Sequence, residues 1–211
     1  MNITKILLSL TSAVLAATTA HAQIAAYGTV SVRRMTDIPY TQGTTTSTNG
    51  SFDPVGGGGG VYYDYKTYGP VRLGFDVRGS ITNSTKGAYT NFNAAGGHIS
   101  NGLAGVRGSF HTPFLPLKPY VEGMVGVART NFGTGFNSGL ATSGVSNTTG
   151  IQSTTHLEYD GFAGLDIAIL PVVDFRLVEL GYGAIQGTGH TYPVGTISTG
   201  LVFHLPFGLG K

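Results

Sequence analysis

VRLGFDVRGS, residues 71–80, sorts its side chains onto two faces with a two-residue period. Val71, Leu73, Phe75 and Val77 share one face of an extended strand, and Arg72, Asp76 and Arg78 share the other. A strand in a water-soluble sheet would turn the apolar row to the core and the charges to solvent. A strand in a membrane barrel would do the inverse, with the apolar row against lipid and the charges enclosed. The fold turns on which orientation holds, and the rest of the chain bears on it.

The 211 residues suffice for one substantial domain. Charged residues make up only 10%, whereas an ordinary soluble enzyme carries about 25%. A net charge of +2 gives no electrostatic footprint for nucleic acid. Cysteine is absent, which excludes a disulfide framework and thiolate metal sites. Residues 1–22 have the three parts of a secretory signal peptide: a lysine near the start, the apolar run Ile6–Ala17, and Ala20-His21-Ala22 as the cleavage signal. That run is too short to span a membrane as a helix, and no later one is longer. The expected mature domain is therefore 23–211, exported from the cytoplasm.

Eight alternating segments follow, at roughly 24–35, 59–67, 71–82, 100–110, 119–130, 157–169, 174–185 and 195–205. Each is near or above the 9–11 residues that a tilted strand needs to cross a bilayer. The connections alternate in length. Long polar stretches at 37–56, 83–98 and 131–155, and a medium one at 186–193, are interleaved with short turns around 68–70, 111–119 and 170–173. In an up-and-down sheet this places every long connection at one end. An even strand count lets the sheet close, which removes unpaired edges.

Parity then sorts the charges. Arg33, Asp64, Lys66, Arg72, Asp76, Arg78, Arg107, Glu122, Glu158, Asp160 and Asp166 share one face, with both signs nearly balanced. The opposite face carries Val30, Val32, Val61, Tyr63, Val106, Val121, Val125, Val127, Leu165, Ile167, Leu201 and Phe203. Arg34 and Arg129 break that face only at strand ends, where cationic side chains reach a membrane interface. An eight-stranded barrel is narrow and filled by side chains, so the charged face is expected inside as a paired network. A soluble lipocalin-like barrel or a sandwich with the apolar row inside is the alternative. The seventh segment fits neither arrangement directly, because Arg176 and Glu179 have opposite parity. Either a bulge near Leu177 reconciles them or Asp174 and Arg176 lie at a membrane border.

The final segment, Ser198-Thr199-Gly200-Leu201-Val202-Phe203-His204-Leu205, follows a pattern of polar-x-Gly-x-x-apolar-x-apolar. In this it resembles the last strand of the small eight-stranded outer-membrane barrels of the OmpA/OmpX type, in the broad outer-membrane β-barrel domain family. PYVEGMVGV (119–127) and GFAGLDIAIL (161–170) resemble strands of the same family. The resemblance covers 23–207 and implies an all-β, eight-stranded antiparallel up-and-down transmembrane barrel in the bacterial outer membrane. It implies outer-membrane lipid as surroundings, and recognition of Ser198, Gly200, Phe203 and Leu205 by the barrel-assembly machinery. The tail Pro206–Lys211 displaces the usual terminal aromatic residue.

Other motifs carry less. GGGGG (56–60) lacks the Lys-Ser/Thr of a phosphate loop and leads into a strand. His98, His156 and His190 lie near loop-side strand ends without metal-binding spacing. His98-Ile99-Ser100 resembles the H-x-S arrangement of outer-membrane lipid A deacylases, but no carboxylate can be assigned to orient the base. Aromatics in the long connections (Tyr40, Phe52, Tyr89, Phe92, Phe132, Phe136 and Tyr192) either contact a partner or cap the barrel mouth. The expected role is non-enzymatic, structural or surface-interacting through long loops around a filled polar interior. No cofactor or metal is expected, and the residues leave any extracellular partner unknown. A lipid-modifying enzyme and a narrow pore are the alternatives.

Overall fold

The computed structural model describes residues 23–42, 45–84, 98–111, 115–131, 154–187 and 190–205, and every regular element among them is a β-strand. The expected signal peptide, the tail beyond Leu205 and most of the connections at 83–98 and 131–155 lie outside these residues. So do Tyr89, Phe92, Phe132 and Phe136 and the side chains of Tyr40 and Phe52.

Nine strands are formed: β1 (Gln23–Gln42), β2 (Thr45–Phe52), β3 (Val55–Tyr68), β4 (Val71–Asn83), β5 (His98–Phe110), β6 (Leu117–Asn131), β7 (Thr154–Leu170), β8 (Val173–Gln186) and β9 (Thr191–Leu205). From β3 onward each strand pairs antiparallel with the next, and β1 pairs with both β3 and β9. The sheet therefore closes, and no barrel strand is left with a free edge.

The nine strands make eight staves. β1 pairs with β3 from Gln23↔Asp64 to Val32↔Val55, and with β2 from Met35↔Phe52 to Gln42↔Thr45. β2 and β3 thus run along the same side of β1, parted only at Asp53-Pro54. Proline has no N–H to give the ladder, but its carbonyl still accepts from Arg33 N at 3.0 Å. The stretch 37–56, expected as a connection, instead continues the hairpin beyond the barrel. Asp37, at φ 60°, marks the irregularity where β1 shifts register against β2. The last connection likewise shrinks to Gly187–His190, clasped by Gly187 N donating to His190 O at 2.8 Å. At the loop end, therefore, only the connections after β4 and β6 remain long. The opposite end carries the tight turns, one of them through Gly69, whose φ of +58° suits glycine.

The question posed by residues 71–80 has its answer in this barrel. Phe75 and Val77 are 54% and 60% exposed on the outside, while Asp76 between them is fully buried. The outer surface is apolar on every stave: Val30, Val61, Val77, Val106, Val125, Leu157, Leu180 and Ile197 all stand exposed. Water would penalise such a continuous apolar belt, and hydrocarbon would not. Strands of 13 to 17 residues around most of the wall exceed the minimum span, so their ends project past the hydrocarbon.

Large inner side chains are seated by glycines across from them. A Cβ on Gly164 would lie 2.4 Å from the Tyr120 ring, and one on Gly181 would lie 2.5 Å from Phe162. Gly164→Val is expected to overpack the lumen and cost about 1–3 kcal/mol, read as a lowered urea midpoint of the folded barrel. Gly123→Ala, with nothing within 4 Å of its Cβ, is the matched control.

Candidate functional site: the charged lumen

The inward face alternates along each strand, so charged residues from five staves converge at mid-barrel. Arg78 (β4) approaches Glu122 (β6) closely and donates to Glu179 (β8) at 3.0 Å. Arg107 (β5) reaches Glu122 at 2.5 Å and Asp166 (β7) at 3.3 Å. Arg176 (β8) reaches Asp166 at 3.0 Å and Glu179 at 3.1 Å. Within this set each guanidinium joins two carboxylates and each carboxylate joins two guanidiniums, and Arg78 Nε also stands 3.7 Å from Asp76. The result is one closed ring of three cations alternating with three anions. Forked guanidinium donors make this possible, because a lysine cannot bridge two carboxylates in a fixed plane.

Aromatic faces separate the three arginines. Arg107 lies between Tyr62 and Tyr120, 4.2 and 3.8 Å from their centroids. Arg176 lies between Tyr27 and Tyr120, at 4.4 and 4.6 Å. Arg78 covers Phe162 at 4.3 Å. Cation–π attraction is strengthened where water is excluded. The ring oxygens take further donors: Tyr120 Oη donates to Glu179 at 2.6 Å and Ser198 Oγ to the same carboxylate at 2.8 Å. Tyr27 Oη donates to Asp76 at 2.8 Å.

Two smaller tiers flank the ring. Toward the loops, Arg33 meets Glu158 closely and stands 3.5 Å from Asp160. Toward the tight turns, Asp174 accepts from Lys118 Nζ at 2.7 Å and has His204 Nε2 at 2.6 Å. Arg72 is half-buried there and donates to Gln23 at 2.7 Å, while Asp64 is buried nearby. A cavity of about 30 Å³ adjoins the ring on the loop side and one of about 20 Å³ on the turn side. Each has room for a water or two.

Ten of the eleven residues sorted to the charged face lie inside or partly inside the barrel. Lys66 does not. The β3–β4 ladder shifts register between Asp64 and Lys66, so Lys66 pairs with Leu73 and turns outward. Its ammonium lies over the Tyr68 ring at 4.8 Å. The bulge at Tyr65 inverts parity at the strand's end, which strict alternation from Asp64 cannot anticipate. Lys66→Gln is accordingly expected to leave the urea midpoint unchanged, whereas Arg107→Gln lowers it.

Sorting by parity also left Arg176, Glu179 and Asp174 outside the network, and all three are buried. The ladder between β8 and β9 shifts register between Arg176 and Glu179, which brings both inward. Their opposite parity in the sequence was the visible signal, and the bulge near Leu177 resolves it. In the final strand, Ser198 points into the lumen, whereas Phe203 and Leu205 are exposed outside.

His98 and Ser100 lie on β5 with the parity of the exposed residues Ala104 and Val106. All ten acidic residues of the chain are described. Eight of them are buried in the lumen, and the other two, Asp37 and Asp53, belong to the β1–β2 hairpin. No carboxylate is therefore placed to orient a His98–Ser100 pair. His190 is engaged at the rim, its Nε2 3.0 Å from the carbonyl of Asp37 and its ring edge-on to buried Tyr192. Among the described residues no group of acidic and histidine side chains has a metal-binding arrangement.

No protein-family model matches the chain, and no curated protein matches it. Solved structures do. The crystal structure of Neisserial surface protein A aligns over 86% of this chain and 97% of that one, at 15% identity and a TM-score of 0.56. Ail, the attachment invasion locus protein of Yersinia pestis, aligns over 88% of this chain and 99% of its own, at 15% identity and a TM-score of 0.48. With its closed antiparallel sheet, enclosed charges and apolar exterior, the chain has the fold of the small eight-stranded outer-membrane β-barrels.

Proposed function

We propose that this is an integral outer-membrane protein whose barrel is a filled, rigid scaffold for surface loops, with no catalytic role of its own. The closed arginine–carboxylate ring carries this reading. It crosses the lumen with both signs paired, leaving small cavities above and below instead of a channel lined by one sign. The stretches 85–97 and 132–153 supply the loop side, and their only charged residue is Lys86. Any surface partner they engage would be met by glycine, hydroxyl, amide and aromatic groups instead of by charge.

Two experiments test the reading. The mature chain is expected in the outer-membrane fraction, with a gel mobility that changes on heating. Recovery in the soluble periplasm with no mobility change would sink it. Reconstituted in planar bilayers, the barrel is expected to give no reproducible ion conductance, and steady single-channel currents would replace the scaffold with a pore. The lipid-modifying alternative has no observation in its favour. Wild type and Ser100→Ala are expected to leave lipid A equally intact.

A further inference from the structure

Lys66 leaves the lumen because the β3–β4 ladder slips by one residue at Tyr65. Bulges serve to re-aim side chains, and this one sets a lysine on the outer wall among aromatic rings. Tyr63, Tyr65 and Tyr68 of β3 are three of the five exposed tyrosines among the described residues, the others being Tyr159 and Tyr182. Tyr65 stacks on Phe75 of β4, with 5.1 Å between centroids. The Lys66 ammonium lies over the ring of Tyr68, which directly precedes the tight turn at Gly69. The cluster therefore occupies the turn-side border of the apolar belt, where tyrosine rings and lysine stems bridge hydrocarbon and headgroups. None of the ten acidic side chains lies on that wall: eight are in the lumen and two are on the β1–β2 hairpin at the opposite end. The outward arginines, Arg34 and Arg129, also stand at the loop end, Arg34 within 3.8 Å of Asp53. Among the described residues, Lys66 is thus the one lysine or arginine facing outward at the turn end.

We propose that Lys66 and the tyrosines around it bind one anionic glycerophospholipid, of the phosphatidylglycerol class, in the turn-side leaflet. The inference rests on the outer-membrane reading above, in which the tight turns face the periplasm. Lys66 Nζ takes the phosphate diester, whose single negative charge it matches. The Tyr65 and Tyr68 hydroxyls donate to phosphate oxygens or headgroup hydroxyls, and the stacked Tyr65–Phe75 pair lies along the glycerol and upper acyl chains. A zwitterionic headgroup fits less well, because its ammonium would find no carboxylate on this wall.

The test places a single tryptophan beside the site and titrates bromine-labelled lipid into phosphatidylcholine vesicles holding the full mature barrel. Val71→Trp is the reporter, since Val71 is exposed and pairs with Tyr68. Leu170→Trp, exposed at the turn end of β7 on the opposite side of the barrel, is the control. Brominated phosphatidylglycerol is expected to compete for the Val71→Trp position about three- to fivefold better than brominated phosphatidylethanolamine, the preference that one lysine near a lipid surface supplies. At Leu170→Trp the two lipids should compete equally. Lys66→Gln should abolish the preference at Val71→Trp while keeping the wild-type urea midpoint in detergent free of anionic lipid, and Lys66→Arg should retain the preference. If Val71→Trp does not fold, Phe110→Trp, across the ladder from Val71, serves as the reporter. Equal quenching by the two lipids at the reporter would overturn the proposal and leave the membrane barrel standing. So would a preference that survives Lys66→Gln or is matched at Leu170→Trp. Tryptophans quenched by no brominated lipid would instead overturn the outer-membrane reading itself, and the lipid site with it.

Discussion

Arg176→Ala is expected to cost about 3–5 kcal/mol, the largest loss among single substitutions in the lumen. Its guanidinium is fully buried, joins Asp166 to Glu179, and stacks between Tyr27 and Tyr120. Truncation opens the ring and leaves two buried carboxylates each with one cation fewer. It also empties the slot between two aromatic faces. The measurement is the change in unfolding free energy from urea titration in detergent or vesicles. Arg176→Lys keeps the charge but loses the fork and the planar stacking, so it should fall between wild type and alanine. If the ring is a unit, Arg176→Ala combined with Glu122→Ala, two members that do not pair with each other, should cost less than the two single changes added together. Strict additivity would show independent pairs and no ring.

Val77→Arg is the second large effect, at about 2–4 kcal/mol. Val77 is 60% exposed at the middle of β4, between the buried Asp76 and the ring member Arg78. A guanidinium one position away from Arg78 would thus move from an enclosed, twice-paired site to the hydrocarbon. The cost should be larger in vesicles than in short-chain detergent, where a charge reaches water more readily. Val71→Arg, at the turn-side end of the same strand, should cost far less, since the penalty falls to about 0–1 kcal/mol near the interface.

The sequence made the staves readable because a two-residue period survives wherever one face must meet lipid and the other must be polar. Arg33, Asp76, Arg107, Glu122, Glu158, Asp160 and Asp166 all lie inward as that period expects. What the period could not carry is register. One inserted residue at Tyr65 sends Lys66 outside, and one irregularity near Leu177 brings Arg176 and Glu179 inside together. The ring itself was invisible for the same reason, since half of its links run through β8. Its aromatic spacers, Tyr27, Tyr62 and Tyr120, resemble any inward position until the staves are set side by side. The β1–β2 hairpin was hidden by composition. Thr, Ser, Asn and Gly at 45–51 read as loop, and only pairing with the polar end of β1 makes them strand.

The central claim is the orientation of the two faces, and this chain permits a clean measurement because it contains no tryptophan. Single tryptophans placed outward (Phe75→Trp, Val77→Trp and Val125→Trp) and inward (Tyr62→Trp and Phe162→Trp) can be read in vesicles containing bromine-labelled lipid. The outward set should be strongly quenched by the brominated chains, and the inward set should be nearly unaffected. Equal quenching of both sets, or quenching confined to the inward positions, would contradict the barrel described here.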